Sequence, residues 1–333
     1  MSKKIKVAIN GFGRIGRAAF KIALANKDLE VVAVNDLSDN NTLAHLLKYD
    51  SVYGRFNHEV TADNEYLTVD GKKFKFLAIK EPLELPWKEL AVDVVLECTG
   101  IFRTTDKAGA HLKAGAKKVI LSAPGKDSDI KTFVIGVNED KYNGEQIINN
   151  ASCTTNCVAP VMEIVKAHWG IKKALLSTVH SYTADQNLID GSHKDLRRAR
   201  SAAINIVPTS TGAAKATGEV IPSLKGKFDG LALRVPTPVV SLSDFSILTE
   251  KPVTKEELNA VFTEAAASPK FKNILAVTNE PIVSSDLIGD PHSSIVDLSL
   301  TAVVDGDLVK IISWYDNEWG YANRLVEMIK IVG

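Results

Sequence analysis

Two cysteines, Cys153 and Cys157, stand close together in the decapeptide ASCTTNCVAP, and the chain of 333 residues has only one other, Cys98. The stretch CTTNCVAPVMEIVKAHW repeats apolar residues with helical period through Val158, Val161, Ile164 and Val165, which predicts a helix that starts at or near Cys153. Backbone donors and the dipole at a helix start favour a thiolate over a thiol. Cys153 is therefore the candidate nucleophile, whereas Cys157, one turn deeper, reads as a packed side chain. A metal site would need further ligands, and the chain has no CxxC and no matching histidine pair, so no metal is expected. A nucleophile needs a base. The apolar segment ALLSTV ends in His180, followed by Ser-Tyr-Thr, which puts an imidazole where a strand opens into a polar loop. His111, His168, His193 and His292 read instead as solvated or helix-surface positions.

A second constellation lies near the start. The run IKVAIN, Ile5 to Asn10, reads as a buried strand, GFGRIGR follows at once, and a helical pattern runs from Arg14 to Ala25. Strand, Gly11-x-Gly13-x-x-Gly16 and helix are the parts of a dinucleotide site: the glycines allow a tight turn and close backbone approach, and the helix N-terminus faces the pyrophosphate. A second strand, Glu30 to Val34, leads to Asp36, where a carboxylate can accept hydrogen bonds from the adenine ribose.

The elements that must position these groups follow the same rhythm. VDVVLECTG and KKVILSAP read as buried strands with a helix from Thr105 to Ala114 between them, so a parallel doubly wound sheet is expected, with Thr99-Gly100 and Ser122-Ala123 at its ligand-binding edge. EYLTVDGKKFKF, with Asp70-Gly71 at its centre, reads as an inserted hairpin. There is no internal repeat or low-complexity tract.

The length suits about two domains. Forty acidic residues balance forty basic ones, and 45% of residues are hydrophobic, a composition that favours neither nucleic acid nor a membrane. MSKKIKVAING has too short an apolar run for a signal segment, and three sparse cysteines do not suggest a disulfide framework. A cytoplasmic location is expected.

INGFGRIGR, LKYDSVYGRF, ASCTTNCVAP, TVHSYTADQ, HKDLRRAR, PTSTGAAKA, LALRVPTP and WYDNEWGYANR occur in that order. Together they resemble the phosphorylating glyceraldehyde-3-phosphate dehydrogenase family from end to end. The resemblance implies a Rossmann-type NAD-binding domain over residues 1–150, with a last helix, 318–333, packing back on it. It implies an α+β catalytic domain with a mixed, largely antiparallel sheet over 151–317, and a homotetramer. The implied function is the glycolytic and gluconeogenic conversion of D-glyceraldehyde 3-phosphate, NAD and inorganic phosphate to 1,3-bisphosphoglycerate and NADH through a cysteine thioester. Carried over by position, Cys153 is the nucleophile and His180 its general base and thiolate partner. Thr183, Arg198 and Arg234 would hold the substrate phosphate, with Asp185 orienting an arginine, and Arg197 would remain solvated. Ser152, Thr154, Thr211 and Gly212 would hold inorganic phosphate. Cofactor contacts would come from Arg14 and Ile15 at the phosphates, Asp36 at the ribose, Lys80 and Ser122 near the adenine and nicotinamide sides, and Asn317 at the carboxamide. The polar loop from Ser181 to Pro208 would meet a neighbouring subunit's cofactor, and Ser192 in it makes NADP a possible secondary cofactor.

Two other readings are open at this stage. One is an erythrose-4-phosphate dehydrogenase of the same superfamily. The other, from a different class, is a non-catalytic NAD-binding redox sensor or nucleic-acid binder, against which the balanced charge and the intact set Cys153, His180 and Arg234 argue.

Overall fold

The alternating run IKVAIN becomes the strand Ile5–Asn10, fully buried over its last four residues. In the computed structural model, which describes residues 3–333, this strand lies inside a nine-stranded sheet. It pairs in parallel with Leu29–Asn35 on one side and Val94–Glu97 on the other, and Lys118–Leu121 continues the parallel order beyond Val94–Glu97. The strand order therefore reverses at Ile5–Asn10, which opens a crevice beyond the carboxyl ends of that strand and Val94–Glu97. The expected hairpin forms from Tyr66–Val69 and Lys72–Leu77. Asp70 and Gly71 at its turn both take positive φ, 47° and 77°, as a two-residue turn matched to strand twist requires.

This sheet belongs to one of two units into which the chain divides. The first comprises the chain through Phe133, Glu139–Ala151 and Ala322–Gly333, and the second comprises Val134–Asn138 and Ser152–Tyr321. The helix Arg14–Ala25 buries Ala19, Phe20 and Ala23, and Phe20 meets Phe12 and Phe74 edge to face at 5.5 and 5.0 Å, a geometry that adds about 0.5–1.5 kcal/mol per pair beyond burial. Within the same unit, Lys330 near the chain end pairs with Asp28 at 2.5 Å.

Histidine 111 departs from the sequence reading. It is fully buried rather than solvated. Its helix, Thr105–Lys113, turns Ala108 and His111 inward together, as positions three apart on one face must. The indole N–H of Trp87 donates to the His111 Nδ1, and the carboxylate of Glu97 accepts from its Nε2.

The second unit has an eight-stranded mixed sheet, ordered Val207–Ser210, Phe228–Val235, Ile171–Ser181, Ser241–Thr249, Leu308–Tyr315, Ser294–Asp297 and Leu275–Thr278, with Ala302–Val304 paired to Leu308–Tyr315. Residues two apart share a face, so Leu176, Thr178 and His180 point the same way, and all three are buried. The helix Cys153–Trp169 lies against this sheet and buries Val158, Val161, Met162, Ile164 and Val165, each contributing about 1.5–3 kcal/mol. The opposite face of the sheet carries Leu175, Leu231 and Leu308, all exposed. From 182 to 206 the chain has no helix or strand.

Candidate active site

Cys153 is the first residue of its helix, and Ser152 caps it by accepting a hydrogen bond from the Thr155 N–H at 3.1 Å. Ala151, just before the cap, takes φ 53°, a left-handed conformation that costs about 1–2 kcal/mol for a residue with a Cβ and turns the chain sharply into the helix. His180 is the penultimate residue of the strand Ile171–Ser181. Its Nε2 lies 3.5 Å from the Cys153 Sγ, and its Nδ1 lies 2.8 Å from the Ser181 carbonyl oxygen. A carbonyl can only accept, so Nδ1 carries the proton and Nε2 presents its lone pair to the sulfur.

Burial pushes the Cys153 thiol up, against the pull of the Arg234 guanidinium and the backbone N–H groups at the helix start. Burial, then the charges of Arg234 and Arg198, pull His180 down to about 3, opposed by its bond to Ser181. Each charge alone is therefore disfavoured. Moving the proton from Sγ to Nε2 creates both charges together, 3.5 Å apart, so the pair titrates as one unit sharing one proton.

Tyr315 ties this pair together from behind. Its hydroxyl lies 2.9 Å from both Thr154 Oγ1 and Thr178 Oγ1, and Thr178 donates to the Leu242 carbonyl at 3.1 Å. With the Thr178 proton committed, Tyr315 donates to Thr178 and accepts from Thr154. The hydroxyl thus bridges the neighbour of Cys153 and the residue two before His180, and its ring meets the imidazole edge to face at 6.0 Å.

Two arginines, Arg234 and Arg198, bear electrostatically on the pair. Arg234 is in register with His180 on the adjacent strand. It donates through Nη1 to Thr183 Oγ1 at 3.0 Å and the Ser181 carbonyl at 3.2 Å, while its buried Nε has no hydrogen-bond partner among the described residues. Arg198 is held by Asp185, by Thr209 at 3.0 Å and by the Ser210 carbonyl at 3.3 Å; Arg197 is exposed. Of the second expected anion set, Ser152 is occupied as a cap and the Thr154 hydroxyl by Tyr315. Thr211 accepts from the Ala213 N–H at 3.2 Å, and Gly212 starts the helix Ala213–Val220 without a side-chain cap, which leaves backbone donors open for an anion. Asn317 accepts from Ser181 and Ser241, both at 3.0 Å, through Oδ1, and so keeps its amide N–H groups to give.

In the first unit, Asn10, Gly11, Gly13, Asp36, Lys80 and Thr99 line one open cavity of about 810 Å³. A Cβ on Gly11 would come within 2.7 Å of the Thr99 N, and one on Gly16 within 2.1 Å of the Gly11 carbonyl, whereas Gly13 faces open space. The helix Arg14–Ala25 has no side-chain cap, so the N–H groups of its first turn are available to a phosphate. The Asp36 carboxylate accepts from the Phe12 N–H at 2.8 Å and the Ser38 N–H at 2.9 Å, which fixes it at the cavity wall. Uncapped donors, an open glycine and a fixed carboxylate fit a dinucleotide. The Arg14 guanidinium instead pairs with Asp50 at 2.7 Å, so at a phosphate only its backbone is in place. Ser122 follows the strand Lys118–Leu121 beside Cys98 and does not line the cavity.

Residues 5–105 match the profile described as the glyceraldehyde 3-phosphate dehydrogenase NAD binding domain, and residues 152–317 match the C-terminal domain of the same enzyme. The chain belongs to the glyceraldehyde-3-phosphate dehydrogenase family. Proteins named glyceraldehyde-3-phosphate dehydrogenase from Mycobacterium avium and Mycolicibacterium smegmatis are 56% identical to it, and one from Streptomyces coelicolor 54%, each over 99% of this chain and 98% of its own length. The NAD-binding match falls in the first unit and the C-terminal match in the second.

Sequence reasoning overlooked groups in both units. Tyr315 stands in the motif WYDNEWGYANR but carries no signal of its own, because its partners lie 161 and 137 residues away. Asn10 and Glu97 carried no signal beyond their place at strand ends, whereas Thr99 lines the cavity as its place at the sheet's ligand-binding edge predicts.

Proposed function

We propose that this chain oxidises and phosphorylates D-glyceraldehyde 3-phosphate, using NAD and inorganic phosphate, to give 1,3-bisphosphoglycerate and NADH. The observation that carries the reading is the His180 Nε2 lone pair, 3.5 Å from Cys153 Sγ, beside Arg234, whose buried Nε has no hydrogen-bond partner among the described residues.

Cys153 adds to the aldehyde carbon while its proton passes to Nε2 and on to the new alkoxide, giving a hemithioacetal. His180 then removes the hydroxyl proton as the carbon loses hydride, and a thioester remains on Cys153. NAD, when bound, is the hydride acceptor. Arg234, Thr183 and Arg198 hold the phosphate end of the substrate, since fixed guanidinium forks suit phosphate oxygens. Inorganic phosphate, received at Thr211, Gly212 and the start of the Cys153 helix, attacks the thioester. The acyl phosphate leaves, and the sulfur takes back the shared proton.

NADP serves as a weaker substitute for NAD, because the Asp36 carboxylate opposes a 2′-phosphate more strongly than the Ser192 hydroxyl can favour it. The working form is a homotetramer. The apolar sheet face around Leu175 supports this, as do Leu188, Ile189, Leu196, Ile204 and Ile206 in the long loop, which are 68–81% exposed, more apolar surface than a monomer ordinarily leaves to water. Three unpaired cysteines suit a reducing cytoplasm. Among the described residues no helix is long and apolar enough to cross a membrane, and the balance of forty acidic and forty basic residues argues against nucleic acid as the main partner.

Initial rates with glyceraldehyde 3-phosphate, NAD and NADP in turn, with phosphate present and omitted, test the reading. Steady turnover is expected with NAD and phosphate together. Erythrose 4-phosphate as the better aldehyde, or rates indifferent to phosphate, would refute it. Light scattering during size-exclusion chromatography tests the tetramer.

A further inference from the structure

Beneath the dinucleotide cavity lies a buried carboxylate that the reaction scheme does not use. Glu97 is 2% exposed. Its Oε2 receives the Asn10 Nδ2 at 2.6 Å and the His111 Nε2 at 3.0 Å, and its Oε1 receives the Thr99 N–H at 2.9 Å together with the Thr99 hydroxyl. The Nδ1 of His111 lies 3.0 Å from Trp87 Nε1. An indole N–H can only donate, so Nδ1 holds the lone pair and Nε2 carries the proton that goes to Glu97. The imidazole is thus neutral, and the contact is a hydrogen bond rather than an ion pair. All four contacts to Glu97 are donors, which fills the acceptor capacity of a carboxylate and leaves no place for a proton of its own.

Two of these donors are cavity walls. Asn10 ends the central strand and, through Oδ1, accepts from Asn35 at 2.7 Å, and Asn35 in turn holds the chain at Ile79 through bonds of 2.9 Å in both directions. Thr99 follows the neighbouring strand and is the residue against which Gly11 packs. Asn10, Gly11, Asn35, Ile79 and Thr99 all line the cavity.

We propose that Trp87, His111 and Glu97 form a positioning relay that holds Asn10 and Thr99 at the spacing the dinucleotide requires, so that the buried network sets affinity for NAD. This rests on the reading of the first unit as the NAD site. Trp87 fixes which imidazole nitrogen donates, His111 aims the carboxylate, and Glu97 clamps the two strand ends on either side of the crevice.

The test compares three variants by direct NAD titration and by thermal melting. His111→Gln keeps an acceptor for Trp87 and a donor for Glu97 in one amide and is expected to bind NAD within about threefold of wild type. His111→Leu fills the space without either and is expected to weaken NAD binding about tenfold, the loss of one hydrogen bond to a charged group, while kcat at saturating NAD and the alkylation rate of Cys153 stay near wild type. If His111→Leu does not fold, Glu97→Gln, which replaces two acceptor positions with donors, carries the same expectation. A folded His111→Leu or Glu97→Gln that melted earlier yet bound NAD as wild type does would overturn the proposal and leave the network a core support. Equal losses in His111→Gln and His111→Leu would overturn it too. A wild type that failed to bind NAD would overturn the cofactor reading beneath it.

Discussion

Replacing His180 with asparagine removes the imidazole that faces Cys153 and leaves the thiol alone in a site that disfavours its charge. In the wild type, the two charges formed by proton transfer would sit 3.5 Å apart, an attraction of about 5 kcal/mol at an effective dielectric constant of about 20. That is enough to offset much of the burial cost and to let the sulfur share its proton near neutral pH. Without the imidazole, burial holds the thiol above its usual range. A thiol at or above about 8.5 is less than about one-thirtieth thiolate at pH 7. Alkylation by iodoacetamide at pH 7 is therefore expected to slow at least about thirtyfold in His180→Asn and to rise about tenfold per pH unit toward pH 8.5. The wild-type rate should vary far less over the same range. Hydride transfer should fall by about two to four powers of ten, the loss of a general base. The assay is the rate of thiol loss in apoenzyme across pH 6 to 9, measured beside single-turnover NADH formation. Parallel pH profiles with equal rates at pH 7 would refute the shared-proton argument.

Further expectations concern stability, the second cysteine, the tyrosine and cofactor choice. Because the folded protein holds His180 at about 3 rather than 6.5, the unfolded chain binds a proton in that window that the folded chain refuses. Wild type should thus lose stability relative to His180→Asn as pH falls below about 6.5, by about 2 kcal/mol at pH 5; a difference in melting temperature that stayed constant from pH 7.5 to 5 would contradict this. Cys157→Ser should keep most activity, since that thiol is pushed up to about 11 by burial and packs against Ser294 and Ser313, whereas Cys153→Ser should lose turnover and still bind NAD; steady-state rates in the reverse order would reassign the nucleophile. Tyr315→Phe keeps the ring but breaks the bridge between Thr154 and Thr178, and about tenfold lower kcat with little change in KM for the aldehyde is expected; an unchanged kcat would remove Tyr315 from the site's support. Asp36→Ala should raise relative use of NADP and Ser192→Pro should lower it, and wild-type kcat/KM for NADP equal to that for NAD would reverse the ranking of carboxylate over hydroxyl.

Where chemistry depends on neighbours in the chain, the amino-acid order was enough. Strand, glycine turn and helix at Ile5 to Ala25, the hairpin at Asp70-Gly71 and the helix start at Cys153 are all local: each follows from φ freedom, apolar period or capping within a few residues, and each lies where the sequence puts it. The cysteine and histidine could be picked out singly by the elements that end at them. Their 3.5 Å approach could not, because it depends on a helix lying across a sheet with Tyr315 as the bridge. His111 shows the same limit from the other side. Its short helix begins Thr-Asp-Lys and also ends in a lysine, and nothing within reach of the residue in sequence reveals that Trp87 and Glu97 would close over it. The sequence alone determined which residues can react and which local elements carry them. Only the tertiary structure decided which hydrogen-bond donors meet which acceptors, and therefore which nitrogen of each histidine holds its proton, because those partners are brought together by burial rather than by the backbone between them.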